Sequence, residues 1–248
     1  MRQITDAIVL RRADWRDYDR MATLLTPNGR IDAVARGCRK PKSPLLAAVE
    51  PFTAGEYVLY EGSGRYTIEQ FRATDTFYPL RLNYDRLLHG MYWLRLAEMQ
   101  AVQDQDSSAL FHLLLRALAH LTYGEMHPEI LTMAFELHYM HISGIAPCMD
   151  ACVRCGKPID SSAWFDAEGG GTVCETCKKA LPDISNGARR IMLRTPLVRF
   201  DAAEKLEGHP NALEAARFTR LFIARRMDLG PSGAPAVPEV LPDTQPRK

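Results

Sequence analysis

Cys152-Val153-Arg154-Cys155 and Cys174-Glu175-Thr176-Cys177 are two C-x2-C pairs separated by eighteen residues. Each pair brings two thiolates to one side of a tight turn, and a second pair about 15 to 20 residues later completes a tetrahedral shell suited to Zn2+. Four thiolates leave no open coordination position, so the pattern predicts a structural ion. Two redox or disulfide pairs, or unrelated buried thiols, are the alternatives.

Glycines flank both pairs. Gly156 follows the first pair, where a metal knuckle needs a positive φ, and Gly169, Gly170 and Gly171 precede the second. Each pair is therefore predicted to lie in a turn, within a zinc-binding insertion at residues 148–180. Cys148 is close enough in sequence to be an alternative ligand.

The N-terminal part of the chain has the pattern of short strands broken by turns. Residues 7–10 and 21–26 are apolar runs, and Pro27-Asn28-Gly29 predicts a hairpin turn after the second of them. About five strands fall within some seventy residues, and a sheet this short would leave open edges unless it closed. We therefore predict a small five-stranded barrel or sandwich over residues 1–79.

The apolar period changes from two to 3.6 after residue 79, which predicts a helical domain over residues 80–230. Three helices precede the cysteines, and two basic helices, at residues 187–193 and 211–227, follow them. We expect the last helix to bury Leu213, Ala216, Phe218, Leu221 and Phe222 and to expose Arg217, Arg220, Arg225 and Arg226. The proline-rich residues 231–248 are predicted to be a disordered tail.

Bulk composition is typical of a globular protein. Of 248 residues, 46% are hydrophobic and 25% are charged, and no run of 18 apolar residues predicts a membrane span. Residues 1–20 carry frequent charges and no apolar core of a signal peptide, which favours a cytoplasmic location. In that compartment six cysteines favour metal ligation over disulfides.

The net charge of +1 conceals a segregation of charge. Residues 30–42 carry five Lys/Arg against one Asp, and residues 186–227 carry nine against four Asp/Glu. Residues 80–147 carry four against seven. Two basic regions thus flank an acidic middle, and clustered positive charge is what a phosphate-binding surface requires.

The segment Arg36-Gly37-Cys38-Arg39-Lys40-Pro41-Lys42-Ser43 is the strongest signal outside the cysteines. It places four cations within seven residues without a carboxylate between them, an arrangement that suits a nucleic-acid backbone. A solvated basic loop is the plainer alternative. We expect three further cations to lie near this loop in a barrel, and three tyrosines to offer stacking faces: Arg11, Arg12 and Arg30, and Tyr57, Tyr60 and Tyr66.

Catalytic patterns are absent from the sequence, which has no G-x-x-x-x-G-K-[ST], H-E-x-x-H or G-x-S-x-G motif, so we do not expect an enzyme. His127-Pro128-Glu129 and Pro147-Cys148 are similar to parts of the zinc deaminase signature. Three residues separate Cys148 from Cys152 where that signature needs two. We interpret residues 127–129 as a loop that leads into a helix.

The order of these parts resembles the RecO family of bacterial recombination mediators over residues 1 to about 230. Each matching segment alone is weak evidence for the family, whereas the combination of segments in this order is specific. The resemblance rests on Ala7-Ile8-Val9-Leu10, Leu24-Leu25-Thr26-Pro27-Asn28-Gly29, the loop from Arg36 to Ser43, Pro51-Phe52, and Gly144 and Pro147 ahead of the four-cysteine segment.

The resemblance implies an α+β fold: an N-terminal five-stranded OB-fold barrel, then an α-helical domain with an inserted four-cysteine zinc knuckle. Family members bind single- and double-stranded DNA, anneal complementary strands, and act with RecR, and often RecF, to load RecA onto DNA coated by single-strand-binding protein. A location at the nucleoid follows. The residues implied are Cys152, Cys155, Cys174 and Cys177 for zinc, and Arg36, Arg39, Lys40 and Lys42 for DNA.

Two further points complete the expectation. An acidic pair, Asp17 and Asp19, lies between the first two predicted strands and receives no role. The alternative function is that of a zinc-stabilised nucleic-acid adaptor in transcription or RNA handling.

Overall fold

Five strands at the N-terminus close into a barrel in the computed structural model, which describes residues 1–62 and 64–227. Around the barrel the strand order is β1-β2-β3-β5-β4, and β1 pairs with β4 to close it, while β3 and β5 run parallel. This is the predicted OB-fold barrel. The strands are β1 (Arg2–Asp14), β2 (Arg20–Thr26), β3 (Gly29–Ala35), β4 (Ala54–Gly62) and β5 (Arg65–Asp75).

The interior of the barrel is filled by small and medium-sized apolar side chains from all five strands, together with the tyrosine Tyr57. That ring is fully buried, and its hydroxyl donates a hydrogen bond to the carbonyl oxygen of Ala48 at 3.0 Å. Tyr57 is therefore a core residue, and the expectation that it offers a stacking face is wrong. Its alternating position on β4 points inward, whereas Tyr60 lies on the outside and is 45% exposed.

The helical domain begins with three helices, α1 (Tyr84–Gln100), α2 (Ser108–Tyr123) and α3 (Pro128–Ile142), as predicted from the apolar period. Eleven of the fifteen residues of α3 are buried. A helix that is buried on nearly all sides lies at the centre of its domain. Helix α5 (Ala212–Arg226) and short 3-10 turns pack against it, and α4 (Asn186–Arg194) packs against α5.

The four-cysteine segment contributes a small antiparallel sheet of β6 (Ala163–Asp166), β7 (Gly171–Val173) and β8 (Asp183–Ile184), in the order β7-β6-β8. The predicted tail at residues 231–248 lies outside the described residues. None of the helices within residues 1–62 and 64–227 combines the length and the apolar content needed to cross a membrane.

The β2–β3 hairpin turn docks the barrel onto the helices. Gly29 has a φ of +115°, and a Cβ at this position would approach the carbonyl oxygen of Val102 to 2.4 Å. The backbone N–H of Arg30 donates to the same oxygen at 3.2 Å, and that of Ser107 donates to Pro27 O at 2.8 Å. Glycine is thus required here both by its backbone conformation and by the close approach of the α1–α2 loop.

Helix α5 presents a different face from the one expected. Arg220 points inward, and its Nε donates to Glu136 Oε1 on α3 at 2.6 Å. The hydroxyl of Tyr92 on α1 donates to the same oxygen at 2.7 Å. Leu213 and Leu221, expected in the core, are 54% and 40% exposed. The expected assignment of these three side chains is wrong because packing against α3 rotates the helix and turns the half-buried Arg220 towards Glu136.

We predict that Arg220→Met lowers the free energy of unfolding by about 3 kcal/mol at pH 7, because removing one member of a buried ion pair costs about 3–5 kcal/mol and Arg220 keeps some exposure. Burial raises the pKa of Glu136, and Arg220 and Tyr92 counteract this rise. Loss of Arg220 raises that pKa further. The penalty is therefore larger at neutral pH and shrinks as the pH falls towards the pKa of the unfolded carboxyl.

Urea unfolding at pH 7 and pH 5 measures this effect. Arg217→Met is the matched control, because Arg217 is exposed on the same helix and its loss should change stability by less than about 0.5 kcal/mol. Equal losses in the two variants, or a loss for Arg220→Met that does not depend on pH, would contradict the role assigned to the buried pair.

Candidate metal centre and nucleic-acid interface

The four predicted ligands Cys152, Cys155, Cys174 and Cys177 form one cluster, and their sulfur atoms all lie within 4.8 Å of one another. A tetrahedral ion with metal–sulfur distances of about 2.3 Å requires sulfur–sulfur separations of about 3.8 Å. The sulfurs of Cys155 and Cys174 are 3.7 Å apart. The geometry and the soft donor set therefore fit a four-coordinate metal ion, as the spacing predicted.

Backbone conformation shapes both knuckles. Gly156 has a φ of +75°, as expected, and its N–H donates to the carbonyl oxygen of Cys152 at 2.8 Å. Burial raises the pKa of the Cys152 thiol, but backbone N–H groups, led by that of Cys174, outweigh it and bring the pKa down to about 6. Backbone N–H groups from both pairs thus stabilise the thiolate form of Cys152, which is the form that binds a metal.

The cysteine segment is fastened to its surroundings at several points. Arg154, between the first two cysteines, donates to the carbonyl oxygen of Cys177 at 2.7 Å and pairs with Asp166 at 2.8 Å. Phe165 of β6 packs on Phe218 of α5, with ring centroids 5.1 Å apart. The four cysteines therefore link the two knuckles, and Phe165 packs the small sheet against the last helix.

Cys148 is outside this cluster. Its sulfur lies 3.5 Å from Asp150 Oδ1 and 3.5 Å from the carbonyl oxygen of Ala151. Its backbone pairs with the strand that leads into the second knuckle, where a Cβ on Gly171 would meet Cys148 O at 2.1 Å. The alternative of Cys148 as a metal ligand is not supported by this arrangement.

The basic loop after β3 is pinned at its backbone. Gly37 has a φ of +64°, and its N–H donates to Asp19 Oδ1 at 2.7 Å. The N–H of Arg39 donates to the carbonyl oxygen of Tyr18 at 3.0 Å. Asp19, which received no role from the sequence, therefore holds this loop against the β1–β2 loop.

The cationic side chains of the loop are exposed. Arg39 lies 3.3 Å from Asp14, and the ammonium of Lys40 lies 5.7 Å from the ring centroid of Tyr18. In the part of the chain that the structure describes, Arg36, Lys40 and Lys42 have no ion-pair partner. A backbone held in place with free cations on it is a surface preorganised for phosphates.

The other three predicted cations are placed differently. Arg11 pairs with Glu98 of α1 at 2.8 Å, and Arg12 pairs with Glu50, in the segment between β3 and β4. Arg30 and Arg36 lie at opposite ends of β3, which separates them by about 20 Å at roughly 3.3 Å per residue. The expectation that Arg30 lies near the basic loop is therefore wrong. A DNA contact for any of the seven cations stays a prediction.

Sequence analysis missed the aromatic residues of the β1–β2 loop. Tyr18 is 54% exposed and Trp15 is 37% exposed, and the guanidinium of Arg65 lies 5.4 Å from the centroid of the Trp15 ring. The signal was available, because two aromatic residues interleaved with charges between two strands are unusual outside binding surfaces. In OB-folds this loop and the β4–β5 loop border the nucleic-acid-binding face.

The residues that are similar to the deaminase signature, His127 and Glu129, have a structural role at the start of α3. His127 caps α3, where its Nδ1 accepts from the N–H of Glu129 at 3.3 Å, and the carboxylate of Glu129 lies 3.8 Å from Arg220. These residues start a helix, as interpreted. Burial lowers the pKa of both His89 and His138 to about 4, so that these two histidines are neutral packing residues.

The barrel with its basic, aromatic rim defines an OB-fold protein of the kind that binds nucleic acid. The family model "Recombination protein O N terminal" matches residues 1–77, and "Recombination protein O C terminal" matches residues 81–232. The chain belongs to the RecO family and has a role in DNA repair and recombination.

Similar proteins cover most of the chain. The DNA repair protein RecO of Alkaliphilus metalliredigens is 37% identical over 174 residues, which is 70% of this chain and 71% of that protein. That of Pelotomaculum thermopropionicum is 35% identical over 202 residues, 79% of this chain and 78% of that protein. That of Clostridium novyi is 31% identical over 176 residues, 71% of this chain and 69% of that protein.

We predict that Cys174→Ser abolishes metal binding and lowers Tm by on the order of 10 °C, because the binding free energy of a structural ion is part of the folding free energy. Elemental analysis of the purified protein and a thermal melt measure the two effects. Cys148→Ser is the matched control and should keep both the metal and the Tm. Retention of a full metal equivalent in Cys174→Ser would mean that another group completes the site.

Proposed function

We propose that this protein is a DNA repair mediator that binds single- and double-stranded DNA and anneals complementary strands. The observation that carries the proposal is the exposed basic loop at residues 36–42, fixed to the barrel through Asp19 and Tyr18. Its cations contact the phosphate backbone, and the exposed rings of Trp15 and Tyr18 provide faces on which unpaired bases stack.

Annealing follows from charge neutralisation and needs no nucleotide hydrolysis. Two single strands repel each other through their phosphates, and a basic surface lowers this repulsion by releasing condensed counterions from both. A strand held along the barrel keeps its bases accessible to a second strand. The protein therefore acts on DNA without being an enzyme.

The four-cysteine cluster binds Zn2+ in this proposal. Four thiolates favour this ion and saturate its coordination, so the zinc supplies folding free energy and no chemistry. Because β6 packs on α5, the ion holds the C-terminal part of the helical domain together. In this proposal the ion stabilises the fold, whereas the basic loop binds DNA.

Protein partners complete the activity. The resemblance to RecO implies that the protein acts with RecR, and in many bacteria with RecF, to load RecA onto DNA covered by single-strand-binding protein. We assign these contacts to the helical domain, because the barrel presents its basic loop to DNA. We propose that the protein acts in the cytoplasm, at the nucleoid.

We predict that changing Arg36, Arg39, Lys40 and Lys42 together to Ala abolishes ATP-independent annealing of complementary oligonucleotides precoated with single-strand-binding protein. Loss of four phosphate contacts should also reduce the slope of log K against log salt for single strands by about 3, at roughly 0.7 per contact. Fluorescence annealing assays and binding titrations at several salt concentrations measure the two effects.

The matched control changes four exposed cations of the C-terminal half, Lys157, Lys179, Arg190 and Lys205, to Ala and removes the same total charge. It should anneal like the wild type. Annealing that survives the loop variant would assign the DNA surface to Arg217, Arg225 and Arg226 instead. Absence of annealing by the wild type would refute the mediator function and leave the nucleic-acid adaptor.

A further inference from the structure

A cavity of about 270 Å3 opens on the β2–β3 face of the barrel. The β1–β2 loop contributes Trp15, the two strands contribute Met21, Asp32 and Val34, and the start of β5 contributes Arg65. Its volume is just below the range of about 300–1,000 Å3 found for drug-sized ligands, so it suits a single planar ring system.

The cavity adjoins the basic loop. Trp15 lines the cavity, and Tyr18, three residues further along the same loop, contacts Lys40. A strand whose phosphates lie on the cations of residues 36–42 therefore passes the mouth of the cavity, within reach of a base. The half-exposed indole of Trp15 supplies an aromatic wall on which such a base can stack.

Asp32 gives the cavity its chemical selectivity. It is the one acid among the cations of residues 30–42. The hydroxyl of Thr23 donates to its Oδ1 at 2.7 Å, which orients the carboxylate and leaves the second oxygen as an acceptor. Among residues 1–62 and 64–227, no cation forms a direct ion pair with Asp32; Arg11 pairs with Glu98 and reaches only the Thr23 hydroxyl, at 3.5 Å.

A carboxylate with this environment repels phosphate and accepts hydrogen bonds only. The exocyclic amino group of cytosine donates a hydrogen bond, whereas thymine presents the oxygen O4 at the equivalent position. A thymine in the cavity would place its O4, a hydrogen-bond acceptor, next to the Asp32 carboxylate, which is also an acceptor, and the two would repel each other. The cavity is therefore suited to the base of a nucleotide and not to its phosphate. Among the bases it favours those that carry an exocyclic amino group.

We infer that this cavity binds one unpaired, amino-bearing nucleobase, stacked on Trp15 and hydrogen-bonded to Asp32. Arg65, whose guanidinium lies 5.4 Å from the Trp15 ring centroid, moves from the ring to the phosphate of the same nucleotide when the base binds. The inference rests on the proposed function and adds to it a preference among single strands, with cytidine-rich DNA bound more tightly than thymidine-rich DNA.

The test compares binding of the full chain to oligodeoxycytidylate and oligothymidylate of equal length, at one fixed salt concentration, by fluorescence anisotropy. We expect the wild type to bind the cytidine strand roughly tenfold more tightly, as one charge-assisted hydrogen bond predicts. Asp32→Asn should bring the ratio close to one, because its amide donates to thymine O4 as well as accepting from cytosine. Asn can also keep the hydrogen bond from Thr23.

Two control variants separate the cavity from general effects. Asp6→Asn removes the same charge from an exposed position on β1 and should leave the ratio of affinities unchanged. Trp15→Ala should weaken binding of both strands by roughly tenfold, whereas Trp15→Phe retains a stacking face. Binding should quench tryptophan fluorescence in the wild type and not in Trp15→Phe, because Trp93 is fully buried and Trp164 lies in β6.

The outcomes distinguish this inference from the function on which it rests. If the wild type binds both strands with equal affinity, or Asp32→Asn keeps the cytidine preference, the cavity is not a base site and the phosphate surface still stands. If the wild type binds neither strand at low salt, the proposed function fails and the inference fails with it. A cytidine preference that only Asp32→Asn removes supports the inference.

Discussion

Burial of β1 on both faces is the constraint on which the rest of the structure depends. Successive side chains of a strand point to opposite sides, so Ala7 and Val9 enter the barrel core while Ile8 and Leu10 join the core of the helical domain. One strand therefore belongs to two cores. This double burial of β1 sets the orientation of the barrel relative to the helices. The contact of the Gly29 turn with the α1–α2 loop is consistent with the same orientation.

The helical domain is built around α3 in a comparable way. A helix buried on nearly every side needs internal partners for its polar groups, and Oε1 of Glu136 accepts hydrogen bonds from Tyr92 of α1 and Arg220 of α5. The hydrogen bond from Arg220 helps to fix the rotation of α5. That rotation turns Phe218 towards Phe165, so the small sheet, whose strand β7 leads directly into Cys174, acquires its packing surface.

The candidate nucleic-acid surface is the part of the barrel that neither core covers. Side chains of the β1–β2 and β3–β4 segments meet there, and backbone hydrogen bonds through Asp19 and Tyr18 hold the loop in one conformation. A loop held in this way loses less conformational entropy when it binds a ligand. Asp32 lies on β3, four residues before Arg36 and so roughly 13 Å from it along the strand, and this distance separates the surface for phosphates from the cavity for a base.

The sequence by itself determined those features that depend on short-range patterns. Cysteine spacing predicted the cluster, the Pro27-Asn28-Gly29 turn predicted the hairpin, and the change of apolar period predicted the helices, because each pattern lies within one element or one turn. The tertiary structure alone decided that Arg220 pairs with the buried Glu136, that Asp19 anchors the basic loop, and that Trp15, Asp32 and Arg65 line one cavity. Arg220 and Glu136 are 84 residues apart in the chain. Partners that distant are chosen by the packing of whole elements, which no local pattern encodes.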